Sequence, residues 1–150
     1  GRGTGIGNEQ LAHKVNVVER ALAVNRPNPD DPIDVLAKVG GAEIAALAGL
    51  MIGAASRGRP VVLDGYISTA AALAACKLAE RAGPYMIASH LSQEQGHVRL
   101  LNAMGLTPLM QLDMRLGEGT GAVLAFHLID ASLKLMREMA TFDSAGVSKG

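Results

Sequence analysis

The chain has 150 residues, 49% of them hydrophobic, which is enough for one domain with a core of its own. Its 14 Lys and Arg balance 14 Asp and Glu, so neither nucleic acid nor an anionic membrane surface has an electrostatic claim on it. Aromatic residues make up 3%, with no Trp, which removes base-stacking platforms, and the single cysteine, Cys76, excludes an intrachain disulfide.

The first stretch, Gly1-Arg2-Gly3-Thr4-Gly5-Ile6-Gly7, is a glycine-rich loop whose backbone N–H groups can cradle a phosphate. It is a weak motif by itself. Gly3-Thr4-Gly5-Ile6-Gly7-Asn8 misses the third glycine of GxGxxG, and the Lys and Ser/Thr of a P-loop are missing too. Such loops follow a strand. With neither a strand nor an initiator Met ahead of it, the sequence is expected to be part of a longer protein. There is no signal-peptide pattern and no uninterrupted apolar run long enough to span a bilayer, so a cytoplasmic location is expected.

Asn8 caps a predicted helix to about Val24, with Leu11, Val15, Val18 and Leu22 as its apolar face. A polar connector, residues 25–30, leads to Asp31-Pro32, an N-cap followed by Pro at the first helical position. The short helix after it stops at Gly40-Gly41. A third helix, Ala42 to about Ser56, is apolar on most sides and is expected to pack against two neighbours.

From Pro60 the pattern alternates. Residues 60–64, 85–88 and, more weakly, 108–113 read as strands. Helices follow at Tyr66 to about Arg81, Gln93 to Met104, and Thr120 to about Met139. Gly58, Gly83 and Gly105 stand where helices end. The last helix carries an apolar line, Leu124, Leu128, Ala131 and Leu135, and a polar line, His127, Asp130, Lys134 and Arg137. Three strand–helix alternations predict an α/β fold with a parallel sheet.

In such sheets the ligand crevice lies outside the carboxyl ends of the strands. Asp64 ends the first strand, Ser89, His90 and Ser92 follow the second, and Arg115 and Glu118 follow the third, so three loops bring them to one rim. Each residue also has a structural reading. Asp64 before Gly65 suits a turn or N-cap, His90 suits a bond to backbone, and Ser92 with Gln95 reads as a capping box. His13, His97 and His127 fall on polar helix faces and read as solvated. Cys76 reads as a small buried residue, and Met104, Met110, Met114, Met136 and Met139 read as core filler. The four histidines have no short mutual spacing, which argues against zinc. A Ser/His/Asp hydrolase built from Ser92, His90 and Asp64 stays open, though no GxSxG elbow favours it. The most unusual stretch is Leu116-Gly117-Glu118-Gly119-Thr120-Gly121, one carboxylate among three glycines, with Thr120 placed to cap the last helix.

Several runs occur together and in order: Gly1-Arg2-Gly3-Thr4-Gly5, residues 34–41 (DVLAKVGG), Leu63-Asp64-Gly65-Tyr66, Ser89-His90-Leu91-Ser92, residues 115–121 (RLGEGTG) and Met139-Ala140-Thr141-Phe142. In these the chain resembles, over essentially its whole length, the C-terminal half of nicotinate-nucleotide–dimethylbenzimidazole phosphoribosyltransferases of the cobalamin pathway. The resemblance implies a Rossmann-like parallel sheet flanked by helices, with residues 1–150 forming one α/β domain. About residues 120–150 would contribute to a small helical domain, and the protein would be a homodimer. The implied reaction moves phosphoribose from nicotinate mononucleotide to 5,6-dimethylbenzimidazole, giving α-ribazole 5'-phosphate and nicotinate. Glu118 would be the general base for the benzimidazole N–H. Gly3, Thr4, Gly5 and Lys14 would contact phosphate, Ser92, Arg115 and Gly117 would line the nucleotide site, and Asp64 would sit on its rim. No metal or other cofactor is implied, because the donor carries no pyrophosphate that needs chelation. The alternative expectation is a non-catalytic nucleotide-binding or assembly fragment that lacks the upstream half of the site. A dinucleotide-dependent oxidoreductase is disfavoured, because three helices rather than a strand follow the glycine loop.

Overall fold

A computed structural model describes residue 2 and residues 5–147. Helix α1, Asn8–Asn25, is followed by α2, Pro32–Val35, which runs on as a wider π turn, Leu36–Gly40. Asp31 caps α2 as expected, accepting from the N–H groups of Ile33 and Asp34. Helix α3, Ala42–Ser56, keeps the predicted bounds. Strand β1, Val61–Leu63, helix α4, Tyr66–Leu78, and a 3₁₀ turn, Glu80–Tyr85, lead to strand β2, Met86–Ala88. Helices α5, His97–Met104, and α6, Thr120–Glu138, complete the order.

The sheet is parallel, with Val61, Val62 and Leu63 opposite Met86, Ile87 and Ala88. The third predicted strand is reduced to one parallel bridge, His90 to Met110. Three backbone bonds hold it to the prolongation of β2: Leu109 N–H to the Ala88 carbonyl, Met110 N–H to Ser89, and Leu91 N–H to Met110, at 2.9–3.0 Å. Asp113 at φ 52° turns the run out of extended geometry, and beyond it one more backbone bond, Gln93 N–H to the Met114 carbonyl at 3.0 Å, ties it to the loop after β2.

The core lies where α3, α4 and the strands meet. Ala48, Met51, Leu63, Ala71, Ala72, Ala75, Ala82 and Met86 form its buried cluster. Ala71, Ala72 and Ala75 are fully buried, and their lack of bulk lets helix backbones approach closely.

Several expected details differ. Gly7, not Asn8, is the N-cap of α1, and Gly83 lies within the 3₁₀ turn because α4 ends early, at Leu78. Helix α3 fully buries Ala48 and Met51 and leaves Leu50 60% exposed, and it does pack against more than one neighbour, α4 first and then the 3₁₀ and π turns. Helix α5 starts at His97 instead of Gln93, with Gly96 as its N-cap. Ser92 therefore accepts from Glu94 N–H in a loop, not in a capping box with Gln95. Gly105, at φ 65°, does end α5. The apolar lines of α1 and α6 are not covered: Val15, Val18, Leu22, Leu128 and Leu135 are 44–57% exposed, and α6 buries only Gly121 and Ala125. Met136 and Met139 are exposed, and the buried methionines are Met51 and Met86. Cys76 is half-buried, and that burial pushes its thiol up from the ordinary value. Among the described residues no helix is long and apolar enough to cross a membrane.

Candidate active site

The carboxyl ends of the two strands and of the third run open onto one cleft of about 970 Å³. Lys14 enters it from α1, Asp64 from the end of β1, His90 and Ser92 from the end of β2, and Arg115, Gly117 and Glu118 from the loop before α6. Six of the nine predicted site residues thus share one cavity. Gly5 is exposed at φ 98° and does not line it, and Gly3 and Thr4 lie outside the described residues. Glu94, Tyr66 and Ser68 also line the cleft and were not singled out from the sequence.

Asp64 organises the site. Its carboxylate accepts from the backbone N–H groups of Gly119 (3.2 Å), Gly121 (2.8 Å) and Ala122 (3.2 Å). These are donors that a helix start leaves unpaired, and Thr120 caps none of them. Asp64, from a different element, serves as the cap of α6, and its charge suits the positive end of the helix dipole. The Ser89 hydroxyl donates to the Asp64 carbonyl at 2.8 Å, which ties the ends of β1 and β2 together.

The loop that α6 grows from is left-handed at three successive residues, Gly117 (φ 79°), Glu118 (φ 59°) and Gly119 (φ 80°). Glycine accepts this freely, whereas glutamate does not. Glu118 is exposed to the cleft, and no hydrogen bond or ion pair engages its carboxylate among the described residues. Lys14 and Arg115 are likewise without an acidic partner among those residues. The cleft therefore holds two available cations and, with Glu94, two available carboxylates among the described residues.

His97, expected in solvent, is 1% exposed beneath this floor. The Ser92 N–H donates to its Nδ1 at 2.9 Å, so its proton sits on Nε2. Nε2–H donates to the Thr69 hydroxyl at 2.9 Å, and that hydroxyl donates to the Gly65 carbonyl at 2.8 Å. Burial holds the imidazole below its ordinary value, with His90 adding to the shift and Asp64 opposing it. The one sequence signal for this was Gly96 immediately before His97. A side chain at position 96 would run into the Tyr66 ring, so the glycine marks close packing there.

A parallel sheet whose carboxyl edge carries free cations and carboxylates beside a helix start is the arrangement in which α/β proteins hold ligands. The comparisons narrow this. The chain belongs to the phosphoribosyltransferase family DBI_PRT, whose model matches residues 1–147. It is 56% identical over 147 residues to the nicotinate-nucleotide–dimethylbenzimidazole phosphoribosyltransferase of Geobacter sp. (strain M21), covering 98% of this chain and 42% of that protein. It is 59% identical over 149 residues to the protein of the same name from Chloroflexus aggregans (strain MD-66 / DSM 9485), covering 99% and 42%. The crystal structure of CobT from Thermus thermophilus superposes with a TM-score of 0.92 at 50% identity, covering 100% of this chain and 44% of that one. The likeness supports the Rossmann-like α/β reading. The chain spans about 42% of the length of these curated relatives.

Proposed function

We propose that the protein carrying this chain transfers phosphoribose from nicotinate mononucleotide to 5,6-dimethylbenzimidazole, releasing nicotinate and forming α-ribazole 5'-phosphate for the lower ligand of cobalamin. The observation that carries this is the placing of an unengaged Glu118 in one cleft with Lys14 and Arg115. Lys14 and Arg115 hold the donor's phosphate and carboxylate, as paired charges in a partly enclosed site can. Gly3, Thr4 and Gly5 add backbone N–H contacts to phosphate, and Ser92 and Gly117 line the nucleotide.

Glu118 takes the N–H proton of the benzimidazole as the other ring nitrogen bonds to the anomeric carbon. The bond from that carbon to the pyridinium nitrogen breaks, its electron pair leaves with nicotinate, and the carbon inverts from β to α. Asp64 is held by three N–H groups, so its part is to place the Glu118 loop on the rim. The substrates, a homodimer, a cytoplasmic location and the absence of a cofactor belong to this reading on the strength of the family. The uncovered faces of α1 and α6 fit a chain that packs against further protein, including a small helical domain to which residues from about 120 onward contribute.

The test is production of α-ribazole phosphate by the full-length protein. Glu118→Gln is expected to lower kcat by about 10²–10⁴-fold, the range of a lost general base. Full turnover by that variant would remove the role from Glu118. Nucleotide binding by the native protein without product would favour the binding-module alternative.

A further inference from the structure

His90 stands at the carboxyl end of β2, lines the cleft and is 3% exposed. One ring edge is fixed. The Ser89 hydroxyl has a single proton and gives it to the Asp64 carbonyl at 2.8 Å. At 3.1 Å from His90 Nδ1, the same oxygen can only accept, so Nδ1 carries the imidazole proton. The ring then has a bare lone pair on Nε2. No partner for Nε2 exists among the described residues, yet no buried side-chain nitrogen or oxygen there lacks one, so Nε2 is reached from the cleft. Gly121 packs on the Nδ1 side of the ring so closely that a Cβ there would overlap it, whereas a Cβ at Gly65 would only touch Cε1. The Ser89 contact and the packing of Gly121 hold the Nδ1 edge, which leaves Nε2 on the cleft side.

We infer that His90 Nε2 accepts a hydrogen bond from a ribose hydroxyl of the bound nucleotide. This rests on the transferase reading. A neutral lone pair repels phosphate and carboxylate, which leaves a neutral donor. Of the two substrates, the benzimidazole gives its N–H to Glu118 and the nicotinate ring has none, so the remaining neutral donors are the ribose hydroxyls. Accepting a hydroxyl's hydrogen bond orients the sugar whose anomeric carbon reacts.

The experiment compares nicotinate mononucleotide with its 2'-deoxy and 3'-deoxy analogues on the full-length protein, native and His90→Phe, with His90→Gln retaining an acceptor. His90→Phe is expected to lose about threefold to tenfold in kcat/KM with the ribonucleotide, the worth of one neutral hydrogen bond. It is expected to lose nothing further with whichever deoxy analogue lacks the partnered hydroxyl, and His90→Gln is expected to recover part of the loss. Nitrogen NMR of the native protein provides a readout that does not depend on turnover: Nδ1 protonated before ligand, and a shift of the Nε2 resonance on saturation with ribonucleotide. Equal losses with all three nucleotides, or an unmoved Nε2 signal in a protein that makes product, would overturn the inference alone. An Nε2 shift without any product would leave the contact standing and remove the transferase reading.

Discussion

Glu118 sits at φ 59° between two glycines that share its left-handed geometry. That geometry costs a side-chain-bearing residue about 1–2 kcal/mol and persists where the surroundings impose it, as they do at active sites. Glu118→Gly is therefore expected to abolish transfer while leaving the urea midpoint of unfolding equal or slightly higher. A clearly lower midpoint would make the carboxylate a structural group. Gly121 is the converse case. Gly121→Ala is expected to cost about 1–3 kcal/mol by overpacking against His90, read in the same denaturation series. At Arg115, exposed and unpaired among the described residues, Arg115→Met is expected to raise KM for the nucleotide about tenfold or more, the scale of a lost charged hydrogen bond. Its effect on kcat would be smaller, because the contact is made in both ground and transition states.

Among the elements, the bounds of α3 were legible because Gly40-Gly41 and Gly58 bracket a mostly apolar, Ala-rich run. The convergence of Asp64, His90, Ser92, Arg115 and Glu118 was legible because strand ends in a parallel sheet face one way. The mode of that convergence was not. Asp64 and Gly119 are 55 positions apart, and no local pattern records that one caps the other's helix. His97 was misplaced for a related reason. A helix started at Gln93 turns that residue outward, whereas the real start at His97 places it under the cleft, where Ser92 and Thr69 satisfy it. This burial has a pH signature. The folded imidazole is held below its ordinary 6.5, so the folded protein binds fewer protons there than the unfolded chain. Its stabilising share is complete above that value and is lost as pH falls from it through the depressed folded value. Urea midpoints between about pH 8 and pH 5 are expected to decline accordingly, and His97→Gln to flatten the decline.

At the scale of the whole molecule, the predicted apolar stripes of α1 and α6 proved to be real stripes without a cover. Val18 is 51% exposed, Leu22 46%, Leu128 44% and Leu135 57%. Relatives more than twice as long supply a physical reason, since stripes of this kind bury against another element. In the full-length protein Val18→Asp is expected to cost about 2 kcal/mol or more, as a charge placed in a packed contact does. A change within about 0.5 kcal/mol, normal for a surface site, would show that α1 stays uncovered there too.

The clasp of Asp64 on α6 also sets an order in time. Helices α3 and α4 and the strand between them are neighbours in the chain, whereas the clasp joins positions 55, 57 and 58 residues apart. Contacts that close long loops form after local ones. Asp64→Asn is therefore expected to leave the refolding rate almost unchanged and to accelerate unfolding, the behaviour of an interaction absent from the transition state. The cleft would then be the last part of the protein to assemble and the first to come apart.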